Sequence, residues 1–296
     1  MLNFKAVALE DRAILEPVLR AQPYRICDHC FACLYIWENT YPAQFCFDED
    51  ILYIMYSYPD GSTAYQLPYC SDAALPGAIE KIRLHAQASG RQLNLVTLNE
   101  DQKCKLESAL PGAFVYIRQP DYADYIYNAQ DLITLRGQKF HAKRNYINRF
   151  IQQYQGRFAF EAAGPANAGE ILAFNAHWDE ENQAGGIADE ANAIDRALRD
   201  LERIGMFGVV LRLDGEIAAF ALGTRLCADT VLEQIEKSAG ITGGYQMINQ
   251  AFAERFAADC LYINREEDLG IEGLRKAKLS YNPAYINMRY RALWAL

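Results

Sequence analysis

Thr230-Val-Leu-Glu233-Gln234-Ile235-Glu236-Lys237-Ser238-Ala-Gly240-Ile-Thr-Gly243-Gly244-Tyr245-Gln246 is the stretch on which the reading of the fold turns. Its apolar residues predict a strand over Thr230–Glu236, its glycines a loop, and Gly243-Gly244 the opening of a helix over 245–258 with Met247, Ile248, Ala251 and Phe252 along one side. Upstream, Gly208–Leu213 and Ile217–Thr224 read as a hairpin closed by the turn dipeptide Asp214-Gly215. Before it come a strand at Phe158–Glu161 and helices over 166–181 and 187–203; after it come a short strand at Leu261–Asn264, a helix over 269–279 and a closing strand at Tyr285–Tyr290. A helix anchored by Phe140, Ile147, Ile151 and Tyr154 leads the whole series.

The first half alternates in the same way. Helices are expected over 9–20, Phe31–Trp37, 73–89 and Glu100–Ser108, and strands at Phe45–Phe47, Ile51–Tyr56, Thr63–Leu67, Asn94–Thr97, Val115–Ile117 and Tyr125–Tyr127. No residue-level repeat joins the halves. Element order alone suggests an α/β chain (α+β mixed sheets) of two lobes, 1–130 and 131–296, each resembling an acyl-CoA N-acyltransferase (GNAT) lobe, with the functional site in the second.

Composition bounds the function. Half of the 296 residues are apolar and 23% are charged, as in a globular protein with a sizeable core. The net charge of −9 removes a global basic field for nucleic acid or anionic lipid, which leans away from tRNA and leaves no DNA partner expected, so any anion site must be local. Met1 to Gln22 has no uninterrupted apolar segment of the signal-peptide kind, and no run reaches the length of a membrane span. A cytoplasmic location is the resulting expectation.

The local basic patch is Leu135-Arg136-Gly-Gln-Lys139-Phe140-His141-Ala-Lys143-Arg144-Asn145-Tyr-Ile-Asn148-Arg149-Phe150, inside a window from Asp131 to Glu161 that holds no other acidic residue. On a helical wheel Lys143 falls within the apolar arc of Phe140, Ile147, Phe150, Ile151 and Tyr154, and Arg144 at its edge. Both are therefore expected to be partly desolvated and to need partners: either carboxylates that stitch the chain together, or a bound phosphate or carboxylate.

After the strand, Lys237 and the Gly243-Gly244 helix start offer a second place for an anion, while Gly240 reads as a turn residue. The spacing departs from the Arg/Gln-x-x-Gly-x-Gly/Ala loop of acyltransferases: the second glycine is displaced by one residue, and the leading cation is Lys237. Glu233 and Glu236 are three apart. Strict strand alternation sends them to opposite faces and excludes a paired acid–base dyad, leaving Glu236 as the carboxylate to orient or deprotonate an amine, or to pair with Arg144. In the C-terminal block, Asp268 can cap the next helix, and Arg275, Lys276 and Lys278 crowd its last turn. Tyr281 follows where a general acid could stand. Cys27, Cys30 and Cys33 have an iron–sulfur-like spacing but no nearby fourth ligand, so packing of Cys30 and Cys33 beside Phe31, Leu34 and Trp37 is expected, and no metal.

Lys139-Phe-His-Ala-Lys143-Arg144-Asn145-x-x-Asn148-Arg149-Phe150, Glu236-Lys237…Gly244-Tyr245-Gln246-x-Ile-Asn249 and Asp268-Leu-Gly-Ile-Glu272-Gly-Leu-Arg275-Lys-Ala-Lys278-x-Ser-Tyr281-x-Pro283, with Phe31-x-x-Leu34-Tyr-Ile-Trp37, resemble a bacterial family related to the C-terminal domain of phosphatidylglycerol lysyltransferases. The resemblance implies a tandem GNAT fold similar to the Fem-type aminoacyltransferases, which move an amino acid from aminoacyl-tRNA to an amine or lipid hydroxyl. It implies that Lys143, Arg144, Lys237 and Lys278 hold phosphates and that Glu236 and Asp268 position the nucleophile. The expected function is thus acyl or aminoacyl transfer to an amine or hydroxyl. Its catalytic candidates are Glu236, Asp268 and Tyr281, and its binding candidates are Lys143, Arg144, Asn145, Lys237, Gly244, Tyr245, Arg275 and Lys278. Acyl-CoA and aminoacyl-tRNA remain open as donors. The alternative is a non-catalytic binding protein for a phosphorylated or carboxylated small molecule.

Overall fold

The computed structural model describes residues 2–182 and 188–295, and the chain divides into two compact units. The first takes in the chain up to Asp124 together with Glu267–Gly270 and Asn287–Leu296; the second is Tyr125–Glu266 with Ile271–Ile286. Among the described residues no helix is long and apolar enough to cross a membrane.

The first unit runs β1 (Lys5–Ala6), α1 (Arg12–Arg20), α2 (Phe31–Ile36), β2 (Ala43–Asp48), β3 (Ile51–Ser57), β4 (Thr63–Tyr65), α3 (Leu75–Ala88), β5 (Asn94–Leu98) and α4 (Glu100–Ala109). β6 (Phe114–Asn128) then passes from the first unit into the second. The second continues with α5 (Ala129–Thr134), α6 (His141–Gln153), β7 (Phe158–Ala162), α7 (Ala168–Asn182), α8 (Ala188–Arg199), β8 (Met206–Leu213), β9 (Glu216–Cys227), β10 (Thr230–Ser238), α9 (Gly244–Phe256), β11 (Tyr262–Asn264) and α10 (Glu272–Leu279). β12 (Tyr285–Trp294) returns to the first.

Strand order is β1-β2-β3-β4-β5-β12 in the first unit and β7-β8-β9-β10-β11-β6 in the second. Each unit is an antiparallel series followed by one parallel pair, β4·β5 or β10·β11, and then one further strand. Parallel neighbours need a long crossover, and the helices α3 and α9 supply it. β12, from the second half of the sequence, pairs antiparallel with β5, and β6, from the first half, pairs antiparallel with β11. The repeat is therefore one of topology, with the last strand of each lobe exchanged. That explains why no residue-level repeat betrays it.

Local chemistry accounts for the elements. Leu75, Ile79, Ile82 and Ala86 recur at helical spacing along α3 and are buried against Tyr53, Tyr65 and Leu95 of the first core. Phe140, Phe150, Val209, Leu211, Ile248 and Phe252 make the second core. The β8–β9 hairpin turns at Asp214-Gly215, both at positive φ as a tight primed turn requires. The two short strands expected at Val115–Ile117 and Tyr125–Tyr127 are one continuous strand, β6, despite the internal Pro120. The start of the helix expected over 187–203 lies outside the described residues.

Candidate active site

The two glutamates of β10 share a face, which corrects the expectation from strict alternation. Glu233 lies opposite Gly223 of β9, Ile235 opposite Leu222, and Glu236 opposite Ala221. Gln234 is thus an extra residue, a β-bulge that sets two residues of β10 against one of β9. Gly223 and Ala221 are two apart and point the same way, so their partners Glu233 and Glu236 do too. One inserted residue reverses the facing of a side chain, and a period-two reading has no means of seeing it.

Around this pair the second unit assembles a compact polar cluster. Arg265, the residue after β11, reaches Glu233 Oε2 at 2.8 Å through Nε and Glu236 Oε2 at 2.7 Å through Nη2. Asn249, on the inward side of α9, donates through Nδ2 to Glu233 Oε2 at 3.1 Å and to Glu236 Oε2 at 3.0 Å. The Arg265 guanidinium stands 5.1 Å from the ring centre of Tyr281. Lys143 Nζ lies 3.8 Å over that same ring and donates to Ser280 Oγ at 2.6 Å. Glu233, Asn249 and Tyr281 are buried, and Glu236 is partly open.

Burial holds the Glu233 carboxyl well above the ordinary range; Arg265 opposes that shift and the negative charge of Glu236 adds to it. The Tyr281 phenol is raised as well, by burial first and then by Glu236, so it stays protonated and can donate. Lys143 moves the other way: burial, reinforced by Arg265 and opposed by Glu236, pushes its ammonium down to about 8. Glu233 Oε1 and Asn249 Oδ1 are buried without hydrogen-bond partners, an uncommon condition for such atoms. Arg265 Nε and the Tyr281 hydroxyl also lack an aligned hydrogen-bond partner; for the two acceptors, an amine or ammonium brings the donors.

Lys143 offers a direct check. Labelling by an amine-reactive ester, read at Lys143 by mass spectrometry across neutral and alkaline pH, is expected to titrate with a midpoint of about 8. A midpoint near 10.4, roughly that of an ordinary lysine, would contradict the placement. Because the group titrates lower in the folded chain than in the unfolded one, it contributes stability that grows as pH rises from about 8.

The other anticipated residues take different places. Arg144 donates through Nη1 to the carbonyls of Leu135 and Gly137, closing the turn that follows α5. The ion-pair partner of Glu236 is therefore Arg265 rather than Arg144. Lys237 is buried, paired with Glu190 at 2.5 Å and 3.8 Å over the Trp178 ring. Gly243 takes φ +87°, where a Cβ would lie 2.6 Å from the Tyr146 carbonyl oxygen, and a Cβ on Gly244 would overlap Ser238 Oγ. The glycines thus let α9 start tight against α6 and the end of β10. Tyr245 is half-exposed, and burial with the charge of Glu236 raises its phenol. Asn145 is exposed on α6 and bonds His141 within the helix. Lys278 is buried and donates from Nζ to the Arg265 carbonyl, and Arg275 is half-buried on the same helix. Asp268 belongs to the first unit, where it is buried and accepts the Gly270 N–H at 2.9 Å. Arg265, Asn249 and Glu233 complete the cluster without having been anticipated as a group, although Asn249 stands inside the quoted Glu236–Asn249 segment.

Comparison with known proteins bears on both fold and family. A family model described as phosphatidylglycerol lysyltransferase, C-terminal, matches residues 20–293. A conserved protein of unknown function from Bacteroides thetaiotaomicron is 36% identical over the whole of both chains, with a TM-score of 0.95. The C-terminal domain of a putative lysylphosphatidylglycerol synthetase from Agrobacterium fabrum shares the fold at 13% identity and TM-score 0.71, over 97% of this chain and 92% of that one. FemX (9% identity, TM-score 0.65) and a tandem GNAT protein from the clavulanic acid biosynthesis pathway (9%, TM-score 0.51) each match over 99% of this chain and 98% of theirs. The fold is therefore the tandem GNAT-like one. The chain spans about half the length of the curated relative it matches, an uncharacterized protein of Mycoplasmoides gallisepticum.

Proposed function

We propose that this chain, which belongs to the family of phosphatidylglycerol lysyltransferase C-terminal domains, transfers an aminoacyl group from an activated donor to an amine or hydroxyl. The observation that carries the proposal is the bulge-built glutamate pair. Two carboxylates share one guanidinium, Asn249 bonds both, and two buried acceptors lack a donor. The unpartnered acceptors suit the ammonium of an amino acid. An ammonium there supplies the missing hydrogens and draws Glu233 towards its ionised form.

In the transfer, the acceptor's nitrogen or oxygen bonds to the aminoacyl carbonyl carbon, and the bond from that carbon to the donor oxygen breaks. The proton released by the acceptor ends on the leaving oxygen. Glu236, the partly open member of the pair, orients the acceptor and takes its hydrogen. The protonated Tyr281 phenol is a hydrogen-bond donor for the developing oxyanion. Positioning and electrostatics do most of the work.

The state of the cations weighs against a CoA pyrophosphate held at the start of α9. Lys237 is committed to Glu190, Arg144 to carbonyls and Arg265 to the glutamates, and the glycines at the start of α9 are filled by neighbouring chain. The same commitments leave a purely phosphate-binding role short of cations. Glu236→Gln is the test: turnover is expected to fall by about 10²–10⁴-fold while donor binding persists. A variant that transfers at the parental rate would remove Glu236 from the mechanism.

A further inference from the structure

The first unit buries a second polar cluster that the transfer does not use. Cys27, Asp124 and Glu267 come from three separate segments, and their sulfur and carboxylate ligand atoms all lie within 4.8 Å of one another. Asp28 lies beside them, and two carboxyl groups, those of Asp28 and Asp124, share one guanidinium with the thiol, that of Arg289, which leaves Glu267 without a direct bond to it. Arg289 spends its donors on Asp28 (2.7 Å), on Asp124 Oδ2 (3.0 Å from Nε, 2.8 Å from Nη2) and on Cys27 Sγ (3.2 Å). Asp124 is wholly buried, and its Oδ1 has no hydrogen-bond partner. Glu267 Oε2 sits 3.6 Å from Cys27 Sγ. Buried carboxylates beyond what one cation can balance are costly unless a further positive charge joins them.

We propose that Cys27, Asp124 and Glu267 bind one divalent cation of the zinc class. One sulfur and two carboxylate oxygens form a set that zinc accepts, whereas the thiolate disfavours magnesium and calcium. Three protein ligands leave a fourth position for a non-protein ligand. Arg289 and Asp28 stand behind the ligands, Arg289 donating to the sulfur and to the far oxygen of Asp124, as outer partners of metal sites do. Cys30 and Cys33 do not belong to the site. Cys30 Sγ caps α2 by accepting the Cys33 N–H at 3.4 Å, and Cys33 is buried within that helix. The carboxylates that serve Cys27 instead come from nearly 100 and 240 residues further along the chain.

The test is titration of the chelator-treated full chain with cobalt(II), followed by displacement with zinc(II). We expect one equivalent to bind with a thiolate-to-cobalt band in the near ultraviolet. Cys27→Ser should lose that band, Glu267→Gln should weaken binding by more than the about 10–100-fold that loss of an outer partner costs, and the double variant Cys30→Ser/Cys33→Ser should keep both. The wild-type titration stands alone should Cys27→Ser fail to fold: absence of the thiolate band there overturns the proposal. So does a band that survives Cys27→Ser or disappears with Cys30 and Cys33.

Discussion

Arg265→Met is expected to destabilise the chain by about 3–5 kcal/mol at neutral pH, because it leaves two carboxylates without their shared cation. Arg265 is nearly buried between Glu233 and Glu236, and Glu233 is only 2% exposed at its side chain, so solvent cannot replace the guanidinium. The pH dependence follows from the same geometry. Glu233 already titrates above its ordinary range, and losing Arg265, which opposes that shift, moves it further up. A carboxyl whose folded value is raised adds stability below the unfolded value near 4.3 and loses it as pH climbs through the folded value. The deficit of Arg265→Met is therefore expected to shrink as the medium is acidified. Urea unfolding at neutral and mildly acid pH measures both. A loss below about 1 kcal/mol, as for an exposed ion pair, would mean that the cluster is not buried as described.

Gly223→Ala is expected to be comparably damaging, by about 3 kcal/mol, the upper part of the range for overpacking. A Cβ there would run into the Leu232 carbonyl of the neighbouring strand and lie 2.6 Å from Phe252 Cζ. Backbone cannot step aside as a flexible side chain can. Gly223 also pairs with Glu233, at the edge of the bulge. The strain therefore falls on the register that brings the two glutamates to one face. On the proposed function, aminoacyl transfer should drop along with the melting temperature and should not recover at low temperature where the variant is folded. A variant of parental stability would contradict the close approach of β9 and β10.

The sequence made most of the elements legible because their signals are local. Asp214-Gly215 announces its hairpin, and the apolar spacing from Leu75 to Ala86 announces α3. Two lobes could be inferred from element order, but the exchange of β6 and β12 could not, since strand partners far apart in sequence leave no local trace. The half-buried setting of Lys143 was visible because a cation fell inside an apolar arc. The glutamate pair was hidden by a single bulge residue, Gln234. Arg265 was hidden because its partners lie about thirty residues upstream, on another strand. Cys27 looked like the start of a cysteine motif, yet the groups gathered around it are Asp124, Glu267 and Arg289, which only the fold brings close.

The measurement closest to the central claim is the ligand-induced stabilisation of the full chain by aminoacylated tRNA, with uncharged tRNA and acetyl-CoA in parallel. A ligand present at about a hundred times its dissociation constant adds roughly 2.7 kcal/mol. The glutamate cluster as an aminoacyl site predicts a larger shift with the aminoacylated form than with the uncharged one, and a smaller difference in Glu233→Gln. Equal shifts with and without the amino acid, or a shift with acetyl-CoA alone, would contradict it.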